Sequence, residues 1–181
     1  MIDELDEYGF PRFEQSEFPI AYLITFRTFG TWLHGDERSS VRRNGNSQYG
    51  TPKLTPSVPL RELMSATQKG ESLILNTEQR QCVEAAIKEV CEFRKYSLRV
   101  LNVRTNHGHA VVSAAVKPEK IVNDFKVYAT RRLRKEWLCS ATQKIWSRGA
   151  STRYLWKPRH VEGAIDYVKY CQEDTPFEFR D

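Results

Sequence analysis

The residue types best suited to chemistry gather in two short stretches. Histidine is scarce, at 4 of 181 residues, yet two of those four fall within Asn106-His107-Gly108-His109. On an extended segment residues i and i+2 point to the same face, so His107 and His109 can present both imidazoles to one cation. Imidazole is the commonest side-chain metal ligand, although a hairpin edge with no ligand would carry the same pair. The second stretch is Phe125-Lys126-Val127-Tyr128-Ala129-Thr130-Arg131-Arg132-Leu133-Arg134-Lys135. At about 100° per residue on a helix, Tyr128 flanks the apolar stripe beside Asp124, Arg131 and Lys135. A phenol among cations is a comfortable neighbour for a phosphate, and a tyrosine snorkelling beside a solvated basic face would read the same way. Together the two stretches suggest a definite reaction. A cation between two histidines polarises a phosphodiester, and a tyrosine hydroxyl attacks it. Arg131 and Lys135 would then hold nearby phosphates.

The elements that must position these groups follow from periodicity. Ile20–Phe29 is rich in β-branched and aromatic residues and reads as a strand. Residues 30–70 are polar and hold several Gly and Pro, too long a stretch for an ordinary connection. Thr77 can cap a helix reaching about Tyr96, with Val83, Ala86, Ile87, Val90 and Cys91 inward. Leu98–Thr105 and His109–Val116 read as two strands joined by a turn over Asn106–Gly108. Pro118 opens a helix on which Ile121, Phe125, Ala129, Leu133 and Trp137 recur every fourth residue. Gln143–Trp146 and Arg153–Trp156 read as strand pieces, and His160–Glu173 as a last amphipathic helix. The order β-α-β-β-α-β with a trailing helix is an α+β, ferredoxin-like arrangement, an antiparallel sheet with helices on one face. Such a fold hosts many functions and decides none alone. Residues 1–19 are expected to be an acidic extension, and 20–175 one domain with a polar insertion at about 35–70.

Composition narrows the partner. The net charge is +5, but the first 20 residues hold six acids and one base, so the rest carries about +10. A basic body points to a polyanion, nucleic acid above all. No apolar run is long enough to span a bilayer, and the acidic start MIDELDEYGF lacks the apolar core of a signal peptide. A cytoplasmic protein is the expectation. Cys82, Cys91, Cys139 and Cys171 form no C-x-x-C pair and read as small buried residues in a reducing compartment. Trp146, Arg148, Arg153, Tyr154 and Trp156 interleave aromatic and basic side chains, a pattern on which bases stack while arginine meets the backbone. Core packing accounts equally for some of those rings. Thr31–Arg38, with Trp32, His34 and Asp36, can border a DNA site or be a polar loop with one aromatic anchor. Arg42 and Arg43 are open to the same two readings.

Four segments carry a resemblance: AYLITFRTFGTWLHGDE, NVRTNHGHAVV, FKVYATRRL and WSRGASTRYLW. In their order and spacing the chain resembles the single-tyrosine HUH transposases, the IS200-like group that includes the REP-associated tyrosine transposases, over roughly residues 21–172. The resemblance implies an HUH endonuclease fold that cleaves and rejoins single-stranded DNA, often hairpin-marked, with Mg²⁺ or Mn²⁺ as cofactor. It implies that His107 and His109 hold the metal. It also implies that Tyr128 attacks the scissile phosphate, leaving a free 3′-hydroxyl and a 5′-phosphotyrosine. DNA contacts are expected from Arg131, Lys135, Arg148, Arg153, Tyr154 and Trp156. Two positions depart from the pattern. Gly108 stands where the family carries a bulky apolar residue, which should remove an anchor and loosen the site. Arg132 stands one turn beyond Tyr128, where a Gln or Asn ligand is usual. Asp124, one turn before Tyr128, can take that place geometrically, and Asn106 and His34 are further candidates. The departures favour a second reading, a domesticated module that binds nucleic acid without cutting. A replication initiator or relaxase shares the chemistry and is a third. A homodimer exchanging its tyrosine helices and a monomer both fit the sequence.

Overall fold

The computed structural model describes residues 17–33, 40–41, 53–68 and 70–170. Outside them lie most of the acidic extension, His34, Asp36, Arg42, Arg43 and Cys171. Four strands form one antiparallel sheet: β1 (Ala21–Arg27), β4 (Ser97–Val103), β5 (His107–Ser113) and β6 (Ser151–Leu155), in the order β4-β5-β1-β6. A small separate pair, β2 (Ser40–Val41) with β3 (Lys53–Leu54), and helix α1 (Val58–Ala66) occupy the stretch read as a polar insertion. The remaining helices are α2 (Thr77–Arg94), α3 (Pro118–Lys135) and α4 (Pro158–Tyr170). Between β1 and β6 the order is the ferredoxin-like one expected from periodicity. Gln143–Trp146 differs from that expectation: it contributes a single bridge, Thr28 to Trp146, and no strand.

Alternation along β1 sorts the protein into layers. Tyr22, Ile24 and Phe26 turn toward α2 and α3, where Val83, Ile87, Val90, Ile121, Phe125 and Leu133 complete the larger core. Ala21 turns the other way, with Val111 and Leu155, against Val161, Ala164 and Val168 of α4. Thus α2 and α3 share one face as expected, while the trailing helix covers the opposite face. The physical reason is that this sheet is apolar on both sides and needs two covers.

Local signals explain the helix ends. Asn76, rather than Thr77, caps α2: its Oδ1 accepts from the Gln79 amide at 2.8 Å, and the Gln79 side chain accepts from the Asn76 amide at 2.9 Å. This reciprocal box satisfies two otherwise orphan donors. Burial pushes the Cys82 and Cys91 thiols up to about 12, as expected of inert core residues.

Candidate active site

Strand β5 carries both histidines on the α4 face. Cross-strand partners share a face, so the register Thr25↔His109, Arg27↔His107 and Asn102↔His109 gathers these side chains. The two imidazoles meet edge to face with centroids 4.7 Å apart. His107 Nδ1 lies 2.6 Å from Asn106 Oδ1, and His109 Nδ1 lies 2.8 Å from Thr25 Oγ1. In the tautomers that donate from Nδ1, both lone pairs fall on Nε2, and the partner oxygens fix the ring planes as hydrogen-bond acceptors behind metal-binding histidines do. The loop is pinned as well. The Asn106 carbonyl accepts from the Thr28 amide at 2.9 Å and from the Thr28 hydroxyl at 3.0 Å.

Gly108 between them proves to be a packing requirement. A Cβ built there would lie 2.9 and 3.0 Å from Cε1 and Cε2 of Phe26, and closer still to Cζ. The Phe26 ring, on the neighbouring strand, fills the space that a bulky residue at 108 would take. The expectation of a loosened site is therefore corrected: the anchor is present and comes from across the sheet.

Helix α4 brings a tyrosine to this face. The Tyr167 ring lies edge to face with His109, centroids 5.6 Å apart. Asn102 Nδ2 donates to the Val168 carbonyl at 3.0 Å, tying the tyrosine's own turn to the sheet. Beside it opens a groove of about 370 Å³, lined by Leu23, Arg153, Arg159, His160, Ala164 and Tyr167. Position 163 is glycine, and a Cβ there would meet nothing within 4 Å, so the helix side of the groove is open.

The groups chosen from the sequence divide accordingly. His107, His109 and Arg153 share the α4 face. Tyr128 does not: it sits in the α2/α3 layer, its ring 6.3 Å from that of Phe93 and 5.9 Å from the Arg131 guanidinium carbon. The sheet separates it from the histidines, which corrects its assignment as their nucleophile. Asp124 is corrected for the same reason. It is buried in that layer, accepting from the Tyr96 hydroxyl at 2.8 Å and paired with Lys120 at 3.1 Å and Arg94 at 3.5 Å. Arg132 is bound up with Glu89 at 3.1 Å and Glu136 at 2.8 Å. Arg131 and Lys135 are exposed on α3, away from the histidines. Arg148 lines a different cavity. Tyr154 and Trp156 stack on each other at 6.3 Å, with Tyr154 edge-on to Tyr22 on the α2/α3 side. Among the described residues no group of three His, Cys, Asp or Glu side chains can hold a metal. The paired imidazoles are thus a partial donor set, suited to an ion that keeps water or phosphate oxygens as its other ligands.

The profile of the family described as "Transposase IS200 like" matches residues 63–169, more than half of the chain and including both histidines and all of α4 but its last residue. The chain belongs to the IS200-like transposase family. Among solved structures, a REP-associated tyrosine transposase bound to a REP hairpin is 14% identical, with 87% of this chain and 69% of that chain covered and a TM-score of 0.47. A proposed transposase from Deinococcus radiodurans is 10% identical over 87% of this chain and 95% of that one, also with a TM-score of 0.47. No curated protein sequence matches. Among the described residues of this IS200-like transposase, no helix is long and apolar enough to cross a membrane. Sequence reasoning did not single out Tyr167, which the fold brings against His109. The available signal was its position beside the apolar stripe of α4, the same signal that Tyr128 gave on α3.

Proposed function

We propose that this IS200-like transposase cuts and rejoins single-stranded DNA with Tyr167 as its nucleophile. The observation that carries the reading is the 5.6 Å ring contact between Tyr167 and His109 on the face opposite Tyr128. The Tyr167 oxygen attacks the scissile phosphorus and gives up its proton to solvent. The bond from phosphorus to the 3′-oxygen breaks, and that oxygen takes a proton from solvent and leaves as a 3′-hydroxyl. The 5′-phosphate stays esterified to the tyrosine, so the ester's energy is kept and the reverse attack rejoins a strand without ATP. Arg153 and Arg159, lining the groove beside Tyr167, hold the flanking phosphates. His107 and His109 would hold Mg²⁺ or Mn²⁺ through Nε2, and the bound ion supplies Lewis-acid polarisation of the scissile phosphate. Four residues beyond Tyr167, the offset at which Arg132 follows Tyr128, the sequence has Cys171, outside the described residues.

The non-cutting reading drew its support from Gly108 and Arg132. Phe26 accounts for the first, and the move from α3 to α4 makes the second irrelevant. The deciding experiment is a covalent-adduct assay. Full-length protein meets labelled single strands, including hairpins from the DNA flanking its gene, with Mn²⁺, Mg²⁺ or chelator. Wild type and Tyr128→Phe should form a metal-dependent adduct that survives a denaturing gel, and Tyr167→Phe should form none. Adduct from Tyr167→Phe but not from Tyr128→Phe would overturn the assignment. Tight binding with no adduct from wild type would return the protein to the non-cutting class.

A further inference from the structure

A second cavity, of about 510 Å³, opens where β1 ends; its walls include Phe29, Trp32, Leu33, Met64, Lys144 and Trp146. We infer that it receives one unpaired nucleobase of the DNA strand whose phosphate lies at the histidines. The inference deepens the proposed function and rests on its reading of single-stranded DNA as substrate. The size lies within the range of about 300–1,000 Å³ typical of small-ligand pockets.

Its walls suit a flat ring. Trp146 is fixed: its indole N–H donates to the Lys126 carbonyl at 3.1 Å and to Thr130 Oγ1 at 3.0 Å, and its ring packs edge-on against Phe26 at 5.4 Å. Such a wall stacks on a base without first losing side-chain freedom. Trp32 lies under the Arg27 guanidinium, 3.3 Å from ring centroid to guanidinium carbon, and Arg27 is the register partner of His107. One residue pair therefore joins the cavity to the histidine strand. Lys144 Nζ lies 5.2 Å from the centroid of Phe29, and Arg148 completes the cationic lining. Aromatic walls with cations beside them fit a base and its own phosphate, a pairing that tolerates any sequence because every base has a π-face. The lower rim is built by hydrogen bonds: Ser72 Oγ donates to the Gly30 carbonyl at 2.9 Å, and Gln68 Nε2 donates to the Gly70 carbonyl at 2.8 Å. Gly30 itself needs φ +74°, and a side chain there would strike Gln68 and Ser72. The wall from Phe29 to Leu33 falls outside the residues matched by the family profile, while Met64, Lys144, Trp146 and Arg148 fall within them.

The test is fluorescence anisotropy in chelator, where no cleavage occurs. Full-length protein binds a labelled mixed-sequence single strand and, separately, a strand of equal length made of abasic nucleotides. Trp32→Ala removes one wall, and Met64→Trp, on α1, narrows the cavity while keeping every aromatic. Thermal melts by circular dichroism report whether each variant is folded, and Met64→Trp serves alone if Trp32→Ala is not. Each folded variant should bind the ordinary strand roughly 5- to 150-fold more weakly, the range carried by one base stack, and the abasic strand as wild type does. Unchanged binding of the ordinary strand, or an equal loss on the abasic strand, would overturn the inference. A base-dependent loss in a protein that forms no adduct would sustain the pocket and remove the nuclease reading, so the two fail separately.

Discussion

Replacing Gly108 by valine should destabilise the protein, and the same change should become stabilising once Phe26 is cut back to alanine. The backbone at 108 is no obstacle, since among the described residues the positive-φ glycines are Gly30, Gly70 and Gly149, and β-branched residues favour strands. The obstacle is the ring. A Cβ at 108 would lie 2.9 and 3.0 Å from two ring carbons of Phe26, against an optimum of about 3.5–4.0 Å. The ring is 1% exposed and meets Phe125 and Trp146 edge-on, with centroids at 6.3 and 5.4 Å, so it has nowhere to retreat. Overpacking of this kind costs about 1–3 kcal/mol, which for a chain of this size lowers Tm by roughly 2–12 °C. Phe26→Ala alone should cost about 3–5 kcal/mol by opening a cavity. In that background the three valine carbons refill part of the space, at about 0.8 kcal/mol per buried carbon, and return roughly 2 kcal/mol. Urea unfolding of wild type, both single variants and the double variant, followed by circular dichroism, measures all four corners of the cycle. If Gly108→Val is neutral in wild type, or equally damaging in both backgrounds, the Phe26 ring does not occupy the place of the missing side chain.

Three further outcomes follow from the same geometry. Asp124→Ala should cost about 1–3 kcal/mol in urea unfolding, because the Tyr96 hydroxyl loses its buried acceptor, and should leave adduct formation intact; lost metal dependence at unchanged stability would put Asp124 back among the ligands. Thr25→Val removes the oxygen at His109 Nδ1 and should weaken Mn²⁺ binding about 10- to 100-fold by calorimetry, with Thr25→Ser restoring it; unaltered affinity would deny Thr25 that role. Burial, first among the causes, raises the Cys82 and Cys91 thiols and the Tyr96 phenol to about 12, from ordinary values of 9.0 and 10.0. The unfolded chain then releases protons that the fold retains, so stability is full below pH 9 and falls as pH climbs toward 12. A flat urea midpoint from pH 8 to pH 11 would contradict this.

Much of this protein could be read from local rules. The His107/His109 pair shares a face because strand side chains alternate with period two, whatever the strand pairs with. The inward stripes of α2 and α3 follow from the helical period, and the start of α2 from a capping pattern displaced by one residue, to Asn76. Which tyrosine lies beside the histidines was beyond such rules. Tyr128 and Tyr167 both flank an apolar stripe on an amphipathic helix, and periodicity treats them alike. What separates them is which face of the sheet each helix covers: α3 packs against Phe26 and α4 against Val111. Gly108 was opaque for a related reason. Its meaning lies in a register across two strands distant in sequence, where the Phe26 ring fills the missing volume. Dihedral preference and hydrophobic period act over a few residues and are written in the chain, whereas the distance between a histidine and a tyrosine is set by the packing of layers on a shared sheet.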